Sequence, residues 1–148
     1  MTPHLTFDNF KGKRIHLGVS GSIAAYKSLE LLRLFESISA DIGVTLTASA
    51  QEFIGAASFS GLGADPVYTQ MFPMGAAPHG HLQPSRDANA FVIAPATAST
   101  LARLAYGLAD DMLSCQALAF NRPLVIAPAM NTNMWEAQAT KENWDKLI

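Results

Sequence analysis

The chain holds four short apolar runs, and each stops at a loop of small, hydroxyl-bearing or proline residues. Ile15, Leu17 and Val19 lead into Ser20-Gly21-Ser22, and Ile42, Val44 and Leu46 lead into Thr47-Ala48-Ser49. Phe91-Val92-Ile93-Ala94 leads into Pro95-Ala96-Thr97-Ala98-Ser99-Thr100, and Leu124-Val125-Ile126-Ala127 leads into Pro128-Ala129-Met130-Asn131. The first two runs alternate apolar with smaller or polar residues, which is a strand pattern. The other two are continuous, as in parallel strands buried on both faces. Stretches of helical spacing lie between and after them. A tight turn at 21–27 opens a helix carrying Leu31, Leu34, Phe35 and Ile38 that runs to about Ser39. Residues 98–106 put Leu101, Leu104 and Ala105 on one face, with Gly107 as C-cap. Asp110 begins a helix with Leu113, Ala117 and Phe120, and 132–138 and 141–148 read as helical. Ser49 reads as the N-cap of a short helix, with Glu52 completing a capping box. Strand–helix alternation of this kind predicts an α/β fold, a three-layer doubly wound parallel sheet of the Rossmann-like or flavodoxin-like type.

The pattern lapses between Gly61 and about Gly80, where Pro66, Pro73 and Pro78 and the methionines Met71 and Met74 fall in what reads as one long loop. His81 ends it, and a short helix follows with Pro84 tolerated in its first turn. The expected organisation is an N-terminal extension over residues 1–13 and a single domain over 14–148.

Composition narrows the class. The 148 residues suit one domain. Hydrophobic residues make up 49% and charged residues only 15%, against about 25% charged in ordinary soluble domains. With 24 alanines, whose small side chains allow close approach, the expectation is a buried interface between subunits. Disorder is excluded by the hydrophobic content. The net charge of −2 comes without a basic block, so nucleic acid is not an expected partner. One cysteine, Cys115, cannot form an internal disulfide or a cysteine-based zinc site. No apolar run reaches the ~18 residues of a membrane span. Met1 to Asn9 lacks a basic-then-apolar leader pattern, so the expected location is cytoplasmic.

In doubly wound folds ligands bind beyond the carboxyl ends of the strands. Backbone N–H groups and hydroxyls at those four loops would cradle a phosphate, and the alanine, proline and methionine surfaces would accept a neutral ring. The generic reading is a mononucleotide site. A dinucleotide fingerprint fails because Gly18 and Gly21 are three apart with no third glycine; a Walker A loop and a nucleophile elbow are also absent.

The same residues carry a resemblance. Gly21-Ser22-Ile23-Ala24-Ala25-Tyr26-Lys27, Gly80-His81-Leu82, Ala94-Pro95-Ala96-Thr97-Ala98-Ser99-Thr100, Gly107-Leu108-Ala109-Asp110-Asp111-Met112-Leu113 and Pro128-Ala129-Met130-Asn131-Thr132-Asn133-Met134-Trp135 resemble, in order and spacing, the homo-oligomeric flavin-containing cysteine decarboxylases. The likeness is greatest to the phosphopantothenoylcysteine decarboxylase branch of coenzyme A synthesis. The last string is the most specific, and related flavin prenyltransferases lack it. The resemblance implies FMN as cofactor, held by Gly21, Ser22, Ile23, Thr47, Ser49, Thr97, Ala98, Ser99, Thr100 and Ala129. It implies that Asn131 and Met134 bind a small cysteine-terminated substrate, Asn131 holding its carboxylate or amide. It implies that His81 is catalytic, taking a proton from the substrate thiol or orienting the carboxylate. Ser99 stands where the family has asparagine, which removes an amide. The implied chemistry begins with flavin oxidation of the C–S unit to a thioaldehyde, because losing CO2 from an unactivated carbon otherwise leaves an unsupported carbanion. The family forms trimers or dodecamers with the cofactor at the seam between protomers and the histidine contributed across it.

Read without the resemblance, several of these residues have plainer roles. Cys115 is a small core residue, Asp110 and Asp111 are helix-cap charges, and Asn131 is a helix cap. His16 is structural within its strand, His79 is a solvated loop residue, and Trp135 and Trp144 are core or interface residues. The family's decarboxylases of this branch continue into an Ala-Cys-Gly clamp whose cysteine protonates the product, and no such segment occurs before Ile148. A truncated or fused decarboxylase, a peptidyl-cysteine oxidative decarboxylase, another flavin oxidoreductase and a non-catalytic flavin-binding subunit therefore all remain as readings of this chain.

Overall fold

The structure, a computed structural model, describes residues 10–72 and 80–148. Residues 1–9, Met74 and His79 lie outside the described residues.

Among the described residues five strands build one sheet: β1 (Arg14–Val19), β2 (Asp41–Leu46), β3 (Val67–Tyr68), β4 (Ala90–Ala96) and β5 (Leu124–Pro128). Their order is β3-β2-β1-β4-β5, and every pairing is parallel. Strand β1 is central, pairing Val19 with Leu46 on one side and Gly18 with Ile93 on the other. The order reverses between β1 and β4, so the crevice at their carboxyl ends is the switch point where such folds bind ligands. Among the described residues eight α-helices connect or follow the strands: α1 (Lys27–Ser37), α2 (Ala48–Gln51), α3 (Ala56–Ser60), α4 (Gln83–Asp87), α5 (Ala98–Tyr106), α6 (Met112–Leu118), α7 (Thr132–Glu136) and α8 (Gln138–Leu147).

Period-two alternation sends the two faces of the sheet to different cores. Leu17, Val19, Val44 and Leu46 pack with Leu32 of α1 and Phe59 of α3 on one face. Phe91 and Ile93 pack with Leu101 of α5 and Leu113 of α6 on the other, with Trp135 and Trp144 against them. Sheet and two helical layers make the three-layer α/β fold that the alternation predicted.

The local differences have identifiable causes. The N-cap of α2 is Thr47, not Ser49: Thr47 is extended at the end of β2 and its hydroxyl accepts from the Ala50 N–H. The supposed capping box of Ser49 and Glu52 is therefore absent. Helix α6 starts at Met112, two residues later than expected, because Asp111 takes the cap and exchanges hydrogen bonds with Ser114. Strand β4 runs through the cis Ala94–Pro95 bond to Ala96, past the proline expected to stop it. The 61–80 stretch contains β3, whose pairing with Val44 and Thr45 of β2 is a tertiary contact. Gly107 lies in the left-handed region at φ 64° and caps α5 as its position implied.

Candidate active site

The site forms where the loops after β1, β4 and β5 converge. Ser20, at the end of β1, ties two of them together: its hydroxyl donates to the Pro95 carbonyl at 2.7 Å and accepts from the Thr97 N–H at 2.9 Å. The Ser20 N–H also donates to the Pro95 carbonyl. Gly21 then passes so close to α2 that a Cβ there would sit 2.5 Å from the Ser49 Cβ. Only glycine permits this approach. Ser22 follows as an extended cap whose hydroxyl accepts from the Ala24 N–H, opening a 3₁₀ turn over Ile23–Tyr26.

On the β4 side, Thr97 caps α5 by accepting from the Thr100 N–H, and its hydroxyl is 3.1 Å from that of Thr100. Ala98 and Ser99 form the first turn of α5 beside it, with Ser99 exposed. On the β5 side, the Ala129 N–H donates to the Ala96 carbonyl, which holds that loop to β4. Asn131 caps α7: its Oδ1 accepts from the Asn133 N–H at 2.9 Å. That bond orients the amide and leaves its NH2 as the group able to donate to a ligand's oxygen.

These loops wall a cavity of about 590 Å³ lined by Gly21, Ser22, Ile23, Ala24, Thr97, Ala129, Met130, Asn131 and Met134. Ligand pockets commonly span about 300–1,000 Å³ and combine an apolar lining with a few placed polar groups. Seven residues singled out in the sequence thus meet in one place. Thr47 and Ser49 stand behind it through the contact of Ser49 with Gly21, their hydroxyls 3.3 Å apart. Ala24 and Met130 were not singled out, although both fall inside the quoted strings. A smaller cavity, about 230 Å³, adjoins across Ala24 and Ala129 and is lined by Lys27, Leu31, Pro95 and Pro128 among others.

His81 does not line the cavity. It sits half-buried in a 3₁₀ turn over Gly80–Leu82, its ring edge-on to Phe72 with centroids 5.5 Å apart. The turn and α4 pack against α6. Asp110 and Asp111 are engaged with Arg103 of α5, at 2.8 and 3.3 Å. That hydrogen bond holds the exposed Asp110 carboxyl below its usual range. Cys115 is half-buried on α6. Among the described residues no cluster of side chains could hold a metal ion.

The chain spans about a third of the length of the curated relatives it matches. It is 39% identical over 137 residues to the coenzyme A biosynthesis bifunctional protein CoaBC of Haemophilus influenzae, covering 92% of this chain and 34% of that protein. It is 45% identical over 132 residues to the same protein of Mycobacterium bovis, covering 88% and 31%. Among solved structures, the FMN-dependent cysteine decarboxylase SpaF superposes with a TM-score of 0.82 at 34% identity, over 91% of this chain and 78% of that one. A mutant PPC decarboxylase complexed with pantothenoylaminoethenethiol superposes with a TM-score of 0.77 at 31% identity, over 93% and 78%. The family model described as Flavoprotein matches residues 6–148, which takes in all of the loops that wall the cavity; the chain belongs to that family.

Proposed function

We propose that this chain is an FMN-dependent decarboxylase acting on 4′-phosphopantothenoylcysteine, releasing CO2 to give 4′-phosphopantetheine in coenzyme A biosynthesis. The observation that carries the reading is the cavity that gathers Gly21, Ser22, Ile23, Thr97, Ala129, Asn131 and Met134 at the switch point. The names of the matched relatives support the same substrate and cofactor.

The residues fit the cofactor. The volume suits a flavin mononucleotide, the glycine at 21 leaves the backbone open to close approach, and Ser22 and Thr97 bring hydroxyls to the wall. Thr47, Ser49, Ala98, Ser99 and Thr100 complete the loops that would hold it. Bound there, the flavin would take up two electrons, giving the carbon that loses CO2 an electron sink, and would return them to the decarboxylated product, so that the net change is loss of CO2 alone. Asn131 donates its amide N–H to the substrate carboxylate, and Met130 and Met134 cover the reacting end against water. His81 moves a proton at the substrate thiol or orients the carboxylate.

The separation of His81 from the cavity supports a site completed between copies of the chain in a homotrimer or dodecamer. So do the exposed apolar residues of the cavity's own lining: Ile23 is 79% exposed and Met134 49%. Exposed apolar side chains gathered into one patch are a feature of surfaces that meet a partner. Residues 14–148 form the catalytic unit in this reading, with 1–13 as an extension, acting in the cytoplasm. Among the described residues no helix is long and apolar enough to cross a membrane.

A peptidyl-cysteine substrate is the second reading, favoured by the superposition on SpaF. Reconstitution with FMN, followed by mass analysis of 4′-phosphopantothenoylcysteine and of a cysteine-terminated peptide, separates the two. Loss of CO2 from the first and not the second is expected. The opposite preference makes the chain a peptidyl-cysteine decarboxylase, and loss from neither removes the decarboxylase reading.

A further inference from the structure

Helix α6 is held on the sheet by a polar contact that stability alone does not call for. Leu113 of α6 fits against Gly18 of β1, where a methyl group would collide with it. One turn further along α6, Gln116 reaches β2, and the Thr45 hydroxyl donates to its Oε1 at 2.6 Å. Gly18 and Thr45 are partners in the β1–β2 ladder. Helix α6 therefore crosses the sheet on one rung, Leu113 seated on one residue of the pair and Gln116 bonded to the other. The Thr45 hydroxyl accepts in turn from His16 Nε2 at 2.8 Å, and the His16 ring is set between Tyr68 and Phe91, with centroids 5.9 and 4.8 Å away.

All three polar side chains are buried: Thr45 and Gln116 at 0% exposure and His16 at 1%. This series of hydrogen bonds stops at the Gln116 Nε2, which is buried and has no hydrogen-bond partner among the described residues. An orphaned amide nitrogen in a low-dielectric core is costly, and apolar side chains of similar volume would avoid that cost. What a hydrogen bond adds, and apolar packing lacks, is direction. Leucine in a groove tolerates sliding and rotation of a helix; a 2.6 Å bond between buried groups does not.

The consequence reaches the candidate site through α6. The Gly80–Leu82 turn and α4 both rest on this helix, so its register sets where His81 stands. We propose that the Thr45–Gln116 hydrogen bond is a positioning contact that fixes α6 on the Gly18–Thr45 rung and thereby places the turn carrying His81. Thr45 and Gln116 are positioning residues, since neither lines the flavin cavity. The effect on turnover rests on the function proposed above; the effect on the turn does not.

The experiment compares Thr45→Val, which keeps shape and removes the hydroxyl, with Thr45→Ser, which keeps the hydroxyl. Gln116→Leu serves as the second route to the same break. Amide hydrogen exchange over residues 80–87 is expected to speed up about tenfold more than exchange over α1 in Thr45→Val and Gln116→Leu, which reads the local effect apart from the fall in Tm that the unpaired buried groups bring. With FMN saturating, kcat is expected to drop about tenfold with KM and FMN affinity unchanged, since small misplacements of a reacting group cost rate more than binding. Thr45→Ser is expected to restore both readouts. Exchange over 80–87 that rises no more than exchange over α1 in both breaking variants overturns the proposal, whether or not the wild type decarboxylates. So does a Thr45→Ser variant as impaired as Thr45→Val. A wild type that leaves the substrate intact, with exchange responding as expected, removes the function and leaves the positioning contact standing.

Discussion

The Ser20 hydroxyl joins the loop after β1 to the loop after β4, donating to the Pro95 carbonyl at 2.7 Å and accepting from the Thr97 N–H at 2.9 Å. Ser20 is buried, so Ser20→Ala leaves the Thr97 N–H without its acceptor and the Pro95 carbonyl without one of its two donors. A loss of about 1–3 kcal/mol is expected, measured by urea denaturation. Because the loops wall the proposed flavin cavity, FMN affinity should weaken together with stability. An affinity equal to the wild type's would show that the flavin does not depend on this tie.

Gly21 sets the second test. A Cβ at this position would lie 2.5 Å from the Ser49 Cβ and 2.8 Å from its carbonyl carbon, so Gly21→Ala must push α2 and the first loop apart. Overpacking of this kind costs about 1–3 kcal/mol, and flavin absorbance of the purified protein should fall sharply. Adding Ser49→Gly removes the side-chain clash but not the backbone one, so the double variant should recover flavin only in part. Full flavin occupancy in Gly21→Ala would place the cofactor elsewhere.

His16 gives the chain a dependence on acid. Burial first, and the Arg14 charge second, lower its pKa from 6.5 to about 3, with the Gln116 contact opposing. The unfolded chain takes up a proton near pH 6.5 that the folded chain resists until about pH 3. Stability from this residue is therefore fully present above pH 6.5 and is lost as pH falls through that window. The expected slope is about 1.4 kcal/mol per pH unit between those limits. His16→Gln should flatten it in denaturation series run from neutral to mildly acidic buffer; an unchanged slope would assign the acid sensitivity to other groups.

Asp111 caps α6, accepting from the Ser114 N–H at 2.7 Å, and pairs with Arg103 at 3.3 Å. Asp111→Ala removes both contacts and should cost about 0.5–2 kcal/mol, most of it from the cap because the ion pair is solvent-accessible. Asp111→Asn keeps the cap and loses the charge, so it should lie close to the wild type in Tm. Equal losses in the two variants would shift the weight to the ion pair.

The sequence was most legible where a single element carries its own signal. The alternation of Ile15, Leu17 and Val19 and the run from Phe91 to Ala94 marked strands, and Gly107 marked the end of α5, because in each case side-chain pattern and backbone agree. Strand β3 was illegible: Val67 and Tyr68 follow a proline and are strand only because β2 offers them partners. Helix α3 holds Ala-Ala-Ser-Phe-Ser, with one large apolar residue and no period to read. Ser49 looked like a cap because its residue type favours one, yet Thr47 at the end of β2 reached the free N–H groups first. In the site, loop strings revealed Gly21, Thr97 and Asn131 as neighbours-to-be. The loop strings do not themselves place His81; the resemblance implies a histidine contributed across the seam between protomers, and in the structure the Gly80–Leu82 turn packs on α6, off the cavity wall.

The central claim is tested most directly by mixing the FMN-loaded protein with 4′-phosphopantothenoylcysteine in the absence of oxygen and following CO2 release. The account predicts flavin-dependent release of CO2, lost in His81→Asn by about two to four orders of magnitude while that variant keeps its flavin. A flavin-loaded wild type that leaves the substrate intact, or a His81→Asn variant that turns over at the wild-type rate, would contradict it.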